Sequence, residues 1–315
     1  MKIGVIGINH LVAGVGLREQ LASICRKELS FSLETVVLTT CNRTEIYFSS
    51  DDLAETHSIL LGLLCRSVEE KCKQKFYSYF SNDCFCHLAK VTAGLDSAII
   101  GETEIQGQVK AAYETAAGRQ ALSPQLHYLF QKSLAIGKDV RSKLLFGRGQ
   151  PKLEEGVLKA GKELAHGSIL FVGASAINEK IWSLFHKKKA GRLFVCNRSK
   201  NLLTESFPGE FLSWDKLELW PEYDWVIFAT NAPHHLINSA PKKARTKLIV
   251  DLSVPRNVDP KVGDHLKLLN IDQIQGSMQS NNQNIVYDIA EKLVIRKACT
   301  HTELFLDKMA KVAGL

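Results

Sequence analysis

The chain has 315 residues, of which 45% are hydrophobic and 23% are charged, values typical of a soluble globular protein with two or three domains. They exclude a disordered chain, a collagen-like fibre and a small scaffold held together by disulfide bonds. No stretch approaches the ~18 apolar residues of a membrane-spanning helix. The N-terminus alternates like a strand and lacks the apolar run of a signal peptide, so we expect a cytoplasmic protein without membrane attachment.

Charge and cysteine content narrow the partners only slightly. Forty basic and 33 acidic residues give a net charge of +7, which permits a polyanionic partner without requiring one. The eight cysteines include no C-x-x-C pair, and we expect reduced, buried thiols. Cys84 and Cys86 lie beside His87, but no second pair of ligands follows at zinc spacing, so no metal site is predicted.

The first eighty residues or so predict a small α+β sandwich of the ferredoxin-like type, in the order strand, helix, strand, strand, helix, strand. The predicted strands are Lys2–Ile8, Val36–Thr39, Glu45–Ser49 and Phe76–Phe80, and the predicted helices are Leu17–Lys27 and residues 54–70. Three further helices follow without strands, at Asp83–Gly94, Glu102–Ala117 and Pro124–Leu145.

The second half of the chain has a different pattern. Glycine and proline at residues 147–151 predict a linker, which precedes a helix at Lys152–Ala165. The predicted strands are short apolar runs without alternation, at Ile169–Val172, Arg192–Cys196, Trp225–Ala229, Leu248–Leu252 and Leu268–Ile271. Such runs are typical of a parallel sheet buried on both faces, so we expect a doubly wound, Rossmann-type domain.

One long helix, about Asn284–Val312, closes the chain after a polar loop at Gln273–Asn284. Ile285, Ile289 and Leu293 lie four residues apart and predict the buried stripe of this helix.

The sharpest local motif is the run Thr39–Glu45, in which Cys41 follows a strand and Arg43 stands two residues further on. A guanidinium near a thiol favours the thiolate, which is the form that attacks a carbonyl carbon. The alternative is that Cys41 packs in the core and Arg43 is a surface residue. The spacing alone leaves both interpretations open.

A second motif runs from His87 to Gln108. Ser97 stands where a helix is predicted to end, Glu102 opens the next helix, and Gln108 follows Glu104 by four residues, so both project from one face. A polar face on an inner helix can bind a small polar ligand. The alternatives are helix capping with a solvated surface and, for His87, an interior histidine with satisfied hydrogen bonds.

The third motif is the turn that begins at Gly173. The turn offers small residues where a dinucleotide fold needs them, although the three-glycine pattern is incomplete. Arg198 stands where an NAD-binding domain usually has an acid, which suits the 2′-phosphate of NADP. The predicted cofactor contacts are Gly173, Ala174, Ser175, Ala176, Ile177, Asn178, Asn197, Arg198, Ser199 and Thr230.

Together these motifs resemble the glutamyl-tRNA reductase family, which opens the tRNA-dependent route to tetrapyrroles. The resemblance covers nearly the whole chain in order, and its runs around Cys41 and from His87 to Gln108 are highly specific in combination. The matching segments are Gly7–His10 with Arg18 and Glu19, Thr40–Glu45, His87, Gly94–Ser97, Gly101–Glu102, Gly107–Lys110, Leu129–Lys132, Asn197–Ser199 and Asp251–Arg256.

The resemblance implies a thioester mechanism. Cys41 attacks the ester that joins glutamate to the tRNA 3′ end, tRNA leaves, and the thioester is reduced with NADPH to glutamate 1-semialdehyde. Two roles stay open for His87, which either protonates the leaving ribose oxygen or tunes Cys41. The residues implied to hold the glutamyl group are Thr40, Asn42, Arg43, Ser97, Glu102, Thr103, Glu104 and Gln108.

The resemblance also implies an α/β multidomain organisation. A catalytic, glutamyl-recognising domain covers residues 1–150, an NADPH-binding Rossmann domain covers 151–275, and a long connecting helix covers 276–315. Because the family continues beyond this helix into a dimerisation domain, we expect a monomer or a weak homodimer. The reactive semialdehyde implies a partner, an aminomutase that receives it.

Three departures from the family pattern bear on the site. Ser175 replaces the second glycine of the phosphate loop, which predicts weakened but not abolished NADPH binding. Gly156 stands near a family serine, which predicts a lost contact. The run Glu102–Glu104 replaces a more usual Glu-Pro-Gln and adds a charge.

Two other functions compete with this interpretation. A non-catalytic tRNA- or haem-responsive regulatory protein would explain the altered glycine loop, but binding alone does not need the thiol. An NADP dehydrogenase of a free small molecule would explain residues 168–272 but not the N-terminal half.

Overall fold

In the computed structural model, the described residues are 1–28, 34–66, 68, 74–97, 104–144, 152–199, 207–278 and 284–312. They form two compact units, one from Met1–Gln150 with Ser280–Leu315 and the other from Pro151–Gln279. None of the helices in the described ranges is long and apolar enough to cross a membrane.

The first unit contains an antiparallel sheet with the strand order β2-β3-β1-β4. Its strands are β1 (Ile3–Asn9), β2 (Thr35–Thr39), β3 (Arg43–Ser49) and β4 (Tyr77–Phe80), with helices α1 (Val15–Glu28) and α2 (Leu53–Arg66). This is the ferredoxin-like arrangement, which confirms the predicted fold.

Both faces of this sheet are buried, because apolar side chains of its strands point to both faces. Ile6 and Ile46 pack in one cluster with residues of α1 and α2. Val5 and Tyr47 point to the other face, where the cluster includes Phe85. That second face is covered by helices α3 (Ser81–Ala93), α4 (Glu104–Arg119) and α5 (Pro124–Leu144). The site residues of β3 therefore lie in a layer between the sheet and α3.

The second unit is a parallel sheet of six strands in the order β10-β9-β8-β5-β6-β7, which confirms the Rossmann-type prediction. Its strands are β5 (Ser168–Val172), β6 (Arg192–Asn197), β7 (Glu210–Ser213), β8 (Trp225–Phe228), β9 (Leu248–Asp251) and β10 (Lys267–Asn270). Its helices are α6 (Leu153–Ala160), α7 (Ala176–Lys187) and α8 (Ile271–Gly276).

Three details of this unit differ from the prediction. The edge strand β7 was not predicted, because it is short and partly exposed and so lacks a buried apolar run. The helix predicted at Lys152–Ala165 ends at Ala160, and a separate 3-10 turn follows. A polar loop was predicted to begin at Gln273, but Gln273 lies within helix α8. Asn270 and Gln273 form the capping box that starts this helix.

The long final helix, α9 (Asn284–Val312), packs on α3 and α5 of the first unit. Its buried stripe is Ala290, Val294 and Ala298, which have no exposed surface. The predicted stripe was wrong at Ile289, which is 52% exposed, whereas Leu293 is half-buried and packs against the core, and the Ile285 side chain lies outside the described residues. Small alanines allow two helices to approach closely, so they occupy the contact in place of the larger isoleucine.

Candidate active site

Cys41 lies at the tip of the hairpin that joins β2 to β3, where Cys41 and Asn42 are the central residues of the turn. The Thr40 N–H donates to the Arg43 carbonyl oxygen (2.9 Å). The Thr40 hydroxyl oxygen accepts from the N–H groups of Asn42 (3.1 Å) and Arg43 (3.2 Å). Thr40 therefore shapes the turn, and Cys41 is half-buried at its tip.

A buried arginine from α1 anchors this tip. Arg18 has no exposed surface, its Nε donates to the Cys41 carbonyl oxygen (2.9 Å), and its Nη1 donates to the Ala13 carbonyl oxygen (2.7 Å). The His10 N–H donates to the Asn42 carbonyl oxygen (2.8 Å). The backbone that carries the thiol is thus attached to two neighbouring segments, which fixes its position.

A buried charge cluster begins two residues after Cys41. Arg43 and Glu45 lie on one face of β3, and both side chains are completely buried. Arg43 Nη1 donates to Glu45 Oε1 (2.8 Å) and Asp96 Oδ2 (2.9 Å), and its Nη2 donates to the Asp96 carbonyl oxygen. Burial opposes the charge on Arg43, but the two acids outweigh burial and raise its pKa well above the ordinary value.

Glu45 is the centre of this cluster. Besides Arg43, it accepts hydrogen bonds from the hydroxyls of Tyr77 (2.5 Å) and Tyr47 (2.7 Å), and its Oε1 lies 2.7 Å from His87 Nε2. Burial favours the neutral acid, but Arg43 and His87 outweigh it and hold the pKa of Glu45 far below its usual range. Burial and the Glu45 carboxylate raise the pKa of both tyrosines. Glu45 is therefore an ionised, fully bonded acceptor.

The neighbouring strand leaves room for this acid. Gly7 of β1 pairs with Glu45 in the antiparallel ladder. A Cβ atom at Gly7 would lie 2.7 Å from Glu45 Cγ, closer than real Cβ atoms approach. Any larger residue at this position would displace Glu45 from its partners.

His87 lies on α3 and is 91% buried, since its relative exposure is only 9%. Its ring stacks on Tyr79, with a centroid distance of 4.9 Å, and lies 5.4 Å from the ring of Tyr77. Because ionised Glu45 can only accept a hydrogen bond, His87 Nε2 carries the proton in their contact. In the neutral imidazole the basic nitrogen is then Nδ1. The structure thus shows His87 as an interior histidine bonded to Glu45, and its catalytic role stays a prediction.

Two predicted substrate contacts are buried polar groups. Asn42 is 2% exposed and Ser97 is 6% exposed. Neither the Asn42 amide nor the Ser97 hydroxyl has a hydrogen-bond partner within the part of the chain that the structure describes. An unsatisfied buried polar group costs stability, so these atoms are suited to a polar ligand.

The other predicted contacts are distributed differently. Glu104 and Gln108 are exposed on one face of α4, as their spacing predicts. Glu102 and Thr103 lie outside the described residues. Arg43 is engaged by Glu45 and Asp96, so the structure assigns it an orienting role, and its contact with the glutamyl group stays a prediction.

The two cysteines of helix α3, Cys84 and Cys86, have environments that disfavour the thiolate. Burial, followed by the Glu45 carboxylate, raises the pKa of Cys84 well above its ordinary value. Burial and the neighbouring Cys299 thiol raise the pKa of Cys86 to about 11. Among the residues that the structure describes, no group of three or more His, Cys, Asp or Glu side chains is arranged to hold a metal ion.

In the second unit, the turn after β5 makes a close backbone approach. Gly173 has φ +94°, and a Cβ atom there would lie 2.6 Å from both the Ala229 carbonyl oxygen and Thr230 Cγ2. Only glycine adopts this conformation in this space without strain. The turn leads directly into the N-terminus of α7, which is the phosphate-binding position of a dinucleotide fold.

Ser175 does not need the conformational freedom of the glycine that it replaces, since its φ of −77° is ordinary. It caps α7 by accepting from the Asn178 N–H (3.3 Å). The Asn178 side chain is buried and donates to the carbonyl oxygens of Val172 (3.0 Å) and Gly173 (2.8 Å). Asn178 therefore supports the turn from inside, while Ala174 and Ile177 are half-buried and Ala176 is exposed.

The predicted ribose contacts lie at the carboxyl end of β6. Arg198 and Ser199 are exposed, and the Arg198 guanidinium lies 5.1 Å from the centroid of the Trp214 ring. Asn197 Nδ2 donates to the Ser199 carbonyl oxygen (3.1 Å) and closes this turn. A cation held on an aromatic face beside a hydroxyl suits a phosphate group.

Thr230 follows β8 and belongs to a hydrogen-bonded network at the same sheet edge. Its hydroxyl donates to Asn257 Oδ1 (2.6 Å), and its N–H donates to the Ser253 hydroxyl (3.1 Å). Asp251 accepts the N–H groups of Ser253 and Asn257. Burial outweighs these bonds and raises the pKa of Asp251 to about 6. Thr230 is thus rigidly oriented at the edge where ligands of such sheets bind.

Comparison with known proteins identifies this pair of units. Residues 6–144 match the family model of the glutamyl-tRNA reductase N-terminal domain, and residues 155–277 match that of shikimate and quinate 5-dehydrogenases. A glutamyl-tRNA reductase from Akkermansia muciniphila is 32% identical over 84% of this chain and 85% of its own length. The chain belongs to the glutamyl-tRNA reductase family. A second member, from Desulforudis audaxviator, is 31% identical over 98% of this chain and 73% of its own length.

The solved glutamyl-tRNA reductase from Methanopyrus kandleri has the same fold. The two structures match with a TM-score of 0.54 at 24% identity, over 99% of this chain and 82% of the other. The similarity therefore extends over both units.

For a glutamyl-tRNA reductase, the structure adds site residues that sequence reasoning missed. Arg18, Glu45, Asp96 and Tyr77 hold the hairpin and His87, although none was predicted as a contact. Arg18 and Glu45 lie within family motifs, and an arginine among the apolar residues of a helix was the available signal. Gly156 is buried, and a larger residue there would meet the Met278 side chain, while the contact expected to be lost at this position stays a prediction.

Proposed function

We propose that the protein is an NADPH-dependent glutamyl-tRNA reductase, which converts glutamyl-tRNA(Glu) to glutamate 1-semialdehyde through a thioester on Cys41. This would be the first step of tRNA-dependent 5-aminolevulinate and porphyrin synthesis. The observation that carries the proposal is the Cys41 hairpin, which is held by Arg18 and continues into the buried cluster of Arg43, Glu45 and His87.

The first half of the reaction is acyl transfer to sulfur. The Cys41 thiolate attacks the ester carbonyl, the carbon–oxygen bond to ribose breaks, and the ribose oxygen takes a proton as tRNA leaves. The Asn42 amide and the Ser97 hydroxyl are proposed to bind the glutamyl group together with Thr40, Glu104 and Gln108. Neither group has a hydrogen-bond partner among the described residues, so a bound ligand would satisfy both.

The second half is reduction of the thioester. Bound NADPH would supply the hydride for this reduction. Cys41 sulfur is the leaving group of the acyl carbon, so cleavage of the carbon–sulfur bond would release the aldehyde and return the thiolate. A thioester suits this step because it lacks the resonance stabilisation of an oxygen ester. The sulfur of Cys41 keeps the same oxidation state throughout, so the enzyme is ready for another turnover.

His87 is proposed to move the proton of the first half. Glu45 binds its Nε2–H and so leaves Nδ1 as the basic nitrogen. Glu45 acts through His87 and is therefore a positioning residue.

The second unit fits NADPH at three observed points. Gly173 allows close approach of the backbone, the α7 N-terminus faces the pyrophosphate position of such a fold, and Arg198 offers a cation for the 2′-phosphate. Ala174, Ala176 and Ile177 complete the phosphate turn. Thr230 is proposed to contact the nicotinamide side.

We expect Gly173→Ala to weaken NADPH binding at least about tenfold, because the strained turn must move away from the pyrophosphate. Fluorescence titration with NADPH measures this. Gly263→Ala is the matched control in the same unit, since a Cβ atom there meets only Leu268 at an ordinary 3.6 Å. Equal NADPH affinity of Gly173→Ala and wild type would contradict the proposed phosphate turn.

We expect Arg198→Ala to weaken NADPH binding at least about tenfold and to leave NADH binding unchanged, because only the 2′-phosphate contact is lost. Arg192→Ala is the control at the opposite end of β6, where the guanidinium also covers an aromatic ring, at 5.2 Å from the Phe194 centroid. Titrations with NADPH and with NADH distinguish loss of the 2′-phosphate contact from a general loss of nucleotide binding. A loss of affinity for both, or for neither, would remove Arg198 from the 2′-phosphate site.

The proposed activity is tested by NADPH oxidation with glutamyl-tRNA, uncharged tRNA and free glutamate esters as alternative substrates. We expect oxidation, with equimolar semialdehyde, for glutamyl-tRNA only. Equal turnover of free glutamate esters would instead support a small-molecule dehydrogenase. Binding of tRNA without NADPH binding or turnover would support a regulatory protein. A cytoplasmic location, an aminomutase partner and a monomeric or weakly dimeric state stay predictions.

A further inference from the structure

An apolar tip stands beside the Cys41 hairpin. Leu11 is 71% exposed and Val12 is 43% exposed, and Leu11 has the largest exposed fraction among the large hydrophobic side chains that the structure describes. A single exposed leucine is ordinary on a protein surface. Leu11 is of interest because of its position beside the Cys41 hairpin.

Backbone hydrogen bonds place the loop that carries Leu11 beside the Cys41 hairpin. In the antiparallel ladder of β1 and β3, Asn9 pairs with Arg43, and the His10 N–H continues this pattern by donating to the Asn42 carbonyl oxygen (2.8 Å). Both strands end at the pair of Asn9 and Arg43, and the chain turns after His10. Leu11 therefore lies in the loop that adjoins the hairpin through the bond between His10 and Asn42.

The apolar tip is held in place by buried polar groups. The Leu11 N–H donates to Asn9 Oδ1 (3.1 Å), and the N–H groups of Val12 (3.3 Å) and Ala13 (3.0 Å) donate to the Asn9 carbonyl oxygen. Arg18 joins this loop to the hairpin, since it bonds the carbonyl oxygens of both Ala13 and Cys41. Leu11 and Cys41 are thus carried by one locked assembly.

Resting on the proposed function, we propose that Leu11, with Val12, is the platform on which the terminal adenine of the tRNA packs. The glutamyl ester is carried by the ribose of this adenosine, so when Cys41 attacks the ester the base lies only one ribose away. An adenine has an apolar face that packs on apolar side chains. The loop His10–Gly14 has no lysine or arginine, which disfavours a phosphate, and the polar glutamyl group has no use for a leucine side chain.

The inference is tested with two small substrates, 2′(3′)-O-glutamyl-adenosine and the same glutamyl ester of 1-O-methyl ribose, which lacks the base. Intact-protein mass spectrometry gives the rate of Cys41 acylation at subsaturating ester without NADPH. We expect the wild type to react faster with the adenosine ester, and Leu11→Ala to lower this preference about fivefold. Leu11→Phe should retain it, because a ring also packs on adenine.

Leu304→Ala is the control, since Leu304 on α9 is also exposed, at 53%. It should leave the preference unchanged.

Equal rates of the wild type with both esters, or an unchanged preference in Leu11→Ala, would overturn the platform while acylation itself still supports the proposed function. A Leu11→Ala variant that keeps the preference but slows delivery of semialdehyde to an aminomutase would reassign the tip to a protein partner. A wild type that is not acylated even by intact glutamyl-tRNA would refute the proposed function, and the platform with it.

Discussion

Replacement of Cys41 by serine is expected to lower the turnover of glutamyl-tRNA by at least about a thousandfold, as loss of a catalytic nucleophile does in other enzymes. A serine hydroxyl is not ionised near neutral pH, and an oxygen ester on serine accepts hydride poorly. Cys41 is a half-buried residue at a turn whose backbone is held by Thr40 and Arg18. The thermal unfolding midpoint of Cys41→Ser should therefore equal that of the wild type.

Cys86→Ser is the matched control for this prediction. Cys86 is also a half-buried thiol, but burial raises its pKa to about 11, which keeps it protonated and unreactive. We expect Cys86→Ser to retain wild-type turnover. Full activity of Cys41→Ser, or inactivation by both substitutions alike, would remove Cys41 from the chemical step.

Replacement of Glu45 by glutamine has the second largest expected effect, on both stability and turnover. The substitution leaves the Arg43 guanidinium in the protein interior without its principal charge partner, and removal of one member of a buried pair costs about 3–5 kcal/mol. Every hydrogen bond to the Glu45 carboxylate comes from a donor group on a neighbouring side chain. The NH2 group of the new glutamine is itself a donor, so it faces another donor and forms no bond with it. Denaturant unfolding measures the loss of stability.

Turnover separates the positioning role of Glu45 from its structural role. Without the carboxylate, His87 loses the charged acceptor that fixes its tautomer, because the glutamine oxygen is neutral and its NH2 group is a donor. We expect kcat to fall about a hundredfold with a smaller change in KM. Measurement below the unfolding transition of the variant isolates this effect. Glu114→Gln, in an exposed pair with Lys110 at 3.6 Å, should change stability by less than about 1 kcal/mol. Wild-type kcat in folded Glu45→Gln would contradict the positioning role.

The stabilisation by Glu45 should also depend on pH in a defined direction. Its pKa in the folded protein is far below the ordinary value, so the unfolded chain takes up the proton first as the pH falls. The contribution is fully present above about pH 5 and is lost progressively below the unfolded pKa of about 4.3. The difference in unfolding free energy between wild type and Glu45→Gln should therefore shrink on acidification below about pH 4.

The sequence was sufficient for most of the architecture because the two kinds of strand leave different patterns. Alternation and turn residues predicted the ferredoxin-like sheet, and short apolar runs predicted the parallel sheet. It failed where packing decides, as in α9, where the alanines Ala290 and Ala298 are buried and the larger Ile289 is exposed. Strand β7 was missed because an edge strand of this kind has no buried apolar run.

The site was predictable where its residues are local and unpredictable where they are distant. Cys41 and Arg43 share one short motif, and the turn at Gly173 is likewise continuous. Asp96, however, is separated from its partner Arg43 by 53 positions, a contact that spacing cannot reveal. Arg43 was expected either to favour the thiolate or to lie on the surface. The fold buries its side chain completely, in ion pairs with buried Glu45 and half-buried Asp96, so the surface alternative was wrong.

The most direct test of the account is to incubate the wild type with glutamyl-tRNA in the absence of NADPH and to locate the glutamyl group by intact-protein mass spectrometry and peptide mapping. We expect one glutamyl group, bound to Cys41, and absent from Cys41→Ser. Addition of NADPH should release it as glutamate 1-semialdehyde. No covalent adduct on the wild type, or an adduct on another residue, would contradict the central claim that Cys41 carries the acyl group.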